Sequence, residues 1–394
     1  MKKFLSFCAA IVAASLLHAP SASAFDPLSA AGVFARMSAA PELSNPSVSI
    51  IDMSTGSVVF ESNASSQRMP ASTMKLLSAV ATLKYLDSQK AFATSVSLGP
   101  VPDSLVINGE FDPWMSINNE VAVKMHRTSY PRLALNGLSA AKKKSGGSVK
   151  KLKIYYNDLF SSDVATLKSL YRKRGIATTF LKVTDEKALA IAGEEVVYST
   201  SPPVKEIVDW FLLWSDNLIA ERMGRIAAKA AGNEFSDNGV AITFATLLIE
   251  MGIDPSGVIV KDASGLSREN KVTASVMSQL LYKIYLDPVL TQIIYGLPVG
   301  GKTGTLRHRY LQTAPKAVGL IKAKTGTLTG VVSLAGYVQS GDREYAFIVI
   351  ADEINPNPAA SDRARKSIDR YLAKIAAPLA SRIVESATAV SVLQ

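Results

Sequence analysis

The chain has 394 residues, 48% of them hydrophobic and 19% charged, with a formal charge of +10 and one cysteine. This balance excludes disorder over most of the length. The one cysteine, Cys8, lies in an amino-terminal segment that reads as removable, which excludes disulfides, thiolate catalysis and cysteine-metal sites from the remainder.

Lys2 and Lys3 precede an apolar run from Phe4 to Leu17, and Ala22-Ser23-Ala24 has the small-x-small pattern of a signal-peptidase site. Residues 1–24 are therefore expected to be a cleaved secretory signal. The apolar run is short for a membrane span of about 20 residues. Removing two lysines lowers the formal charge from +10 to +8. A basic exported chain suits a polyanionic surface such as a bacterial envelope, and no basic-aromatic motif for nucleic acid is present.

Ser47 to Met53, the turn Ser54-Thr55-Gly56 and Ser57 to Glu61 predict a β-hairpin. Leu76, Leu77, Val80 and Leu83 then predict a helix. From about residue 92 to 199 the pattern is mixed. Ser104 to Ile107 and Leu152 to Tyr156 are strand-like, Val121 to Met125 and Asp163 to Arg172 helix-like. The basic run Lys142-Lys143-Lys144 reads as a solvated loop. Val204 to Leu290 is largely helical in pattern. Ala317 to Lys324, Val331 to Val338 and Tyr345 to Ile350 are strand-like, and a helix is expected from Asp362 to Ala377. Two early and three late strands fit one antiparallel sheet covered by helices.

Three short motifs bear on chemistry. Ser72 and Lys75 in Pro70-Ala71-Ser72-Thr73-Met74-Lys75 are three apart and share a helix face. A serine hydroxyl needs a base to become a nucleophile, and a lysine kept neutral by burial and a helix N-terminus can be that base. Ser215-Asp216-Asn217 follows an apolar segment and reads by itself as a helix cap. Lys324-Thr325-Gly326-Thr327 ends a strand, where glycine leaves room for a substrate backbone to add alongside. A second copy, Lys302-Thr303-Gly304-Thr305, leads into Arg307-His308-Arg309, which is not strand-like, so the later copy is preferred.

The order Ser-x-x-Lys, Ser-Asp-Asn, Lys-Thr-Gly is the set of penicillin-binding proteins and class A β-lactamases. With Gly109-Glu110-Phe111-Asp112-Pro113, Ser201-Pro202-Pro203 and Asp262-Ala263-Ser264-Gly265-Leu266-Ser267-Arg268, the chain resembles the class C low-molecular-mass penicillin-binding proteins, the D-alanyl-D-alanine carboxypeptidase/endopeptidase family. The resemblance implies an α+β transpeptidase fold of the penicillin-binding and serine β-lactamase type. That fold has a five-stranded antiparallel sheet with helices on both faces, a helical subdomain and a mixed α/β insert. The implied division is residues 25–91 and 200–380 for catalysis, 92–199 for the insert and 381–394 for a tail.

The resemblance further implies that Ser72 is the nucleophile, Lys75 its base and Ser215 a proton relay. Lys324 and Thr325 would hold the substrate carboxylate, Asn217 its amide, and Gly326 and Thr327 the strand edge. Arg268 would meet a side-chain carboxylate at the cleft rim. Implied substrates are D-Ala-terminated peptidoglycan stem peptides, with β-lactams as covalent inhibitors, in the periplasm or cell wall. No cofactor and no metal are expected: no His-Glu-x-x-His is present, and His126 and His308 lack the context of a serine–histidine triad. Glu250, the one candidate for a β-lactamase deacylating carboxylate, sits at a helix end before Gly252. A scaffold that has lost turnover is the non-enzymatic alternative. Arg363, Arg365, Lys366, Arg370 and Lys374 leave weak contact of the last helix with a membrane or wall polymer open, and neither the leaving group nor the oligomeric state is legible.

Overall fold

The computed structural model describes residues 25–379, so the expected signal segment 1–24 and tail 381–394 lie outside the described residues. Asp26 caps α1 (Pro27–Ser38). The predicted hairpin is β1 (Ser47–Asp52) and β2 (Val58–Ser62), followed by α2 (Lys75–Tyr85). Next come β3 (Ala93–Leu98), β4 (Ser104–Gly109), β5 (Met115–Ser116), α3 (Asn119–Lys124), β6 (Thr128–Ser129) and α4 (Tyr130–Lys144). These lead to β7 (Lys151–Asn157), α5 (Ser161–Arg172), β8 (Ala177–Lys182), α6 (Asp185–Ile191) and β9 (Glu195–Thr200). A helical stretch holds α7 (Val204–Trp214), α8 (Asn217–Ala230), α9 (Asp237–Glu250), α10 (Ala274–Leu286) and α11 (Gln292–Gly296). The chain returns as β10 (Ile321–Leu328), β11 (Val331–Ser340) and β12 (Arg343–Ala351), and α12 (Pro358–Ile375) follows.

The early hairpin and the three late strands form one sheet in the order β10-β11-β12-β1-β2, antiparallel throughout. β12 lies at its centre and splits its side chains by the two-residue strand period. Ala346, Ile348 and Ile350 join the core shared with α2, α7, α8, α9 and α10. Tyr345, Phe347 and Val349 join the core under α1 and α12. Helices thus cover both faces. β10 has one strand neighbour; Pro298 to Gly300 bond to its outer edge at Ile321 and Ala323, and no strand pairs with that edge from Lys324 onward.

A second sheet, β8-β7-β4-β3-β9, holds the whole stretch between α2 and α7. β4, β7 and β8 pair in parallel, while β3 pairs antiparallel with β4 and β9. It has a separate core built around Val96, Leu105, Ile154 and Tyr171. Arg222 of α8 and Asp163 of α5 form a buried ion pair between the two regions, and Tyr130 Oη donates to Asp163 at 2.6 Å.

Several local expectations shift. Residues 315–317 form a 3-10 turn led by Pro315, so β10 starts at Ile321 instead of Ala317; proline has no N–H for a ladder. α12 starts four residues early because Pro358 suits the first helical turn and Asn357 caps it. Lys142–Lys144 are not a loop. They end α4, where cations complement the helix dipole, and Lys144 Nζ donates to the Gly99 carbonyl at 3.0 Å.

Candidate active site

Ser72 lies in a 3-10 turn, Ala71–Met74, that leads into α2, so it precedes the helix instead of opening it. The turn is held from three sides. Ala71 is in the left-handed region at φ 48°, which costs a residue with a Cβ about 1–2 kcal/mol. Thr73 Oγ1 and Ser333 Oγ both donate to the Pro70 carbonyl at 2.7 Å. A Cβ on Gly265 would lie 1.8 Å from the Ala71 carbonyl oxygen, and one on Gly326 would lie 2.1 Å from Ser333 Oγ and 2.8 Å from the Pro70 carbonyl oxygen. The glycine of the Lys-Thr-Gly motif therefore admits the Ser72 turn itself, a different use from the room for a substrate backbone expected above.

Lys75 is fully buried in the first turn of α2. Its Nζ donates to Ser72 Oγ at 3.0 Å, to Asn217 Oδ1 at 2.6 Å and to the Ser264 carbonyl at 2.7 Å. Burial pushes its pKa down to about 8, against the pull of the carboxylates of Glu221, Asp262 and Asp216. Glu221 accepts from the N–H groups of Ala263 and Ser264, and Asp262 Oδ1 from those of Ser264, Gly265 and Leu266. These hydrogen bonds fix the Ser264 carbonyl that faces Lys75. Neither carboxylate was singled out from the sequence; the signal present was only that Asp262 belongs to a segment carrying the family resemblance.

Ser215 is the residue between α7 and α8 and is itself left-handed, at φ 60°. Asp216 caps α8, accepting from Ile219 N at 3.1 Å, as the cap reading of this motif expects, and the adjacent Asn217 is the residue that meets Lys75. Lys324 reaches under β10. It is fully buried, and its Nζ donates to Ser215 Oγ at 2.8 Å and to the Thr325 carbonyl at 2.9 Å. Burial and the nearby Lys75 hold its pKa well below the usual lysine value.

Ser72, Ser215, Thr325, Gly326 and Thr327 line one cavity of about 300 Å³ at the open edge of β10. Arg268 does not line it. Its Nη1 donates to the Thr329 carbonyl at 2.9 Å, at the turn between β10 and β11. Glu250 is remote, receiving a hydrogen bond from Tyr85 at 3.2 Å. Four residues outside the three motifs also line the cavity: Thr305, Arg309, Val332 and Arg365. Thr305 belongs to the second Lys-Thr-Gly copy, which forms a 3-10 turn, and its hydroxyl lies 2.8 Å from that of Thr325. The copy set aside thus supplies one wall of the cleft. Among the described residues no cluster of three or more His, Cys, Asp or Glu could hold a metal ion.

Known proteins give a consistent picture. The chain is 29% identical over 370 residues to carboxypeptidase DacB of Mycolicibacterium smegmatis, covering 80% of this chain and 79% of that one. It is 36% identical over 157 residues to the D-alanyl-D-alanine carboxypeptidase of an Actinomadura species, covering 38% and 29%. Among solved structures, penicillin-binding protein 4 of Haemophilus influenzae matches at 18% identity and a TM-score of 0.67, over 86% of this chain and 98% of that one. A predatory endopeptidase of Bdellovibrio bacteriovorus matches at 16% identity and a TM-score of 0.58, over 84% and 93%. These two likenesses establish the penicillin-binding fold. The sequence model of the D-Ala-D-Ala carboxypeptidase 3 (S13) family matches residues 31–164 and 132–375, most of the described chain. The chain belongs to the D-Ala-D-Ala carboxypeptidase 3 (S13) family, a family of serine-type D-Ala-D-Ala carboxypeptidases.

Proposed function

We propose that this carboxypeptidase cleaves D-Ala-terminated stem peptides through an acyl-Ser72 intermediate. One observation carries the reading: Ser72 Oγ receives a hydrogen bond from a buried Lys75 whose pKa is pushed down to about 8, in the cavity that also holds Ser215.

Neutral Lys75 takes the Ser72 proton as Oγ attacks the carbonyl between the two D-alanines. The N–H groups of Ser72 and Thr327 receive the oxyanion; such a donor is worth about 100- to 1000-fold in rate. Ser215 relays that proton from Lys75 toward the leaving amine, with Lys324 Nζ holding its Oγ at 2.8 Å. The C–N bond breaks, D-alanine leaves, and water hydrolyses the ester to release the shortened peptide and regenerate Ser72. Asn217 holds Lys75 through its Oδ1 and leaves its amide N–H for the substrate. Thr325 and Thr327 offer hydroxyls along the strand edge. A β-lactam enters the same cleft and stays as the ester.

The same cleft serves a cross-linked leaving peptide, so endopeptidase action in wall maturation belongs to the proposal. So do export by the 1–24 signal to the periplasm or wall, and the division into 25–91 plus 200–380 for catalysis and 92–199 as an insert. Fluorescent penicillin tests the core of it: the wild type forms a covalent band and Ser72→Ala forms none. A band on both variants, or on neither, refutes acyl-Ser72 chemistry.

A further inference from the structure

The cavity beside Ser72 is lined by two arginines, and among the described residues only one of them is in an ion pair. Arg309 is matched to Asp369: Nε lies 3.1 Å from both carboxylate oxygens and Nη2 lies 2.5 Å from Oδ1. That pair is compact, mostly buried and neutral overall. Arg309 Nη2 also donates to the backbone carbonyl of Arg365 at 3.4 Å, which ties α12 to the cleft wall. Arg365 itself is half-buried, and among the described residues its guanidinium makes no ion pair and no hydrogen bond. Asp362, one turn earlier on α12, is bound to Lys366 at 2.8 Å. Burial and the neighbouring Arg309 lower the pKa of Arg365, against the weaker pull of Asp362 and Asp369. A guanidinium nevertheless stays charged at any physiological pH.

A partly desolvated charge without a partner is costly unless something else supplies the opposite sign. The Lys-Thr-Gly lysine does not line the cavity. Lys324 is fully buried, bound to Ser215 and the Thr325 carbonyl, and its pKa is well below the usual value. Thr325 and Thr327 can donate hydroxyls but carry no charge. An anion lying along β10 in this cavity therefore has one unspent cation to meet.

We propose that Arg365 of α12 is a specificity-determining residue that pairs with the terminal carboxylate of the leaving D-alanine. Guanidinium and carboxylate match as planar, two-point partners. The assignment rests on the acyl-Ser72 reading, since it names the receptor for the leaving group of that reaction. It also gives the single cavity-facing arginine of α12 a role distinct from Arg363, Lys366, Arg370 and Lys374, which do not line the cavity.

The test compares two substrates sharing one acyl group. One is an acyl-D-Ala-D-Ala peptide with a free carboxylate. The other is the same acyl-D-alanine as a methyl thioester, whose leaving group carries no carboxylate. Arg365→Gln is expected to lose about 10- to 100-fold in kcat/KM on the peptide, the range of a charged hydrogen bond, and nothing on the thioester. Arg365→Lys should recover part of the peptide activity, because it restores charge without the two-point fit. A parallel loss on both substrates, or no loss on either, assigns Arg365 to the scaffold and overturns the proposal. Turnover that survives Ser72→Ala sinks the acyl-Ser72 reading instead, and is recognised in the otherwise unaltered chain before Arg365 is touched.

Discussion

Lys75 Nζ and Ser72 Oγ lie 3.0 Å apart, with the lysine completely buried and the serine half-exposed to the cleft. The base is thus shielded while the nucleophile stays reachable. The shielding matters because burial, and not the start of α2, is the largest cause of the lowered pKa. Lys75 is the first residue of α2, so the helix N-terminus lies at the base, with Ser72 in the 3-10 turn before it.

The rate of penicillin acylation should therefore rise with pH through about 8 and level off above it, as Lys75 loses its proton. Glu221→Gln should move this inflection to lower pH, since Glu221 is the carboxylate that most favours the charged lysine. Stopped-flow acylation across pH values checks both; an inflection that moves up in the variant would contradict the assignment. Lys75→Met should lower the acylation rate by at least about 100-fold, the scale of general-base catalysis.

Gly326→Ala should damage stability and acylation together. The new methyl group meets Ser333 Oγ and the Pro70 carbonyl, so the strand or the Ser72 turn must move. Overpacking of this kind costs about 1–3 kcal/mol, read by urea unfolding. Gly330→Ala would meet nothing closer than 3.3 Å, although its φ of 79° also disfavours alanine. Acylation should therefore survive better in Gly330→Ala than in Gly326→Ala at comparable loss of stability.

Asp369→Ala should cost about 3–5 kcal/mol in urea unfolding, because it leaves Arg309 mostly buried without its carboxylate. A loss within the error of the measurement would mean that water enters the site freely.

Asp112 offers a pH-dependent case away from Ser72. It is buried, its Oδ1 accepts from Trp114 N at 2.7 Å, and its Oδ2 has no partner. Burial pushes its pKa up to about 6 from 3.8. The native state thus holds this proton more tightly than the unfolded chain does. The wild type loses stability through this group as pH rises from about 4 to about 6. Asp112→Asn should gain on the wild type across that window, reaching on the order of 3 kcal/mol above it. Thermal melts at pH 4 and pH 8 measure the difference; an equal effect at both would rule out the titration.

The sequence by itself determined the elements whose signal is local. The hairpin at Ser47 to Glu61, α2, the helical stretch from Val204 and strands β11 and β12 follow from residue spacing and turn residues. So does the pairing of Ser72 with Lys75, three residues apart in one turn. The choice of the later Lys-Thr-Gly copy also came from local pattern, since a strand follows it directly. The strands β3, β8 and β9 were not legible, because their small and polar residues carry little two-residue contrast and gain their order only from sheet partners.

Tertiary structure alone decided the rest of the cleft. Asn217 comes to Lys75 across 142 residues and Lys324 to Ser215 across 109, contacts that no local spacing encodes. Thr305 and Arg365 enter because the chain folds a rejected motif and one face of a basic helix against β10. Arg268 lies at the turn between β10 and β11, where its guanidinium donates to the Thr329 carbonyl. Spacing along a chain sets which side chains share a face. Which faces meet, and which charge is left without a partner there, is set by how the buried cores pack.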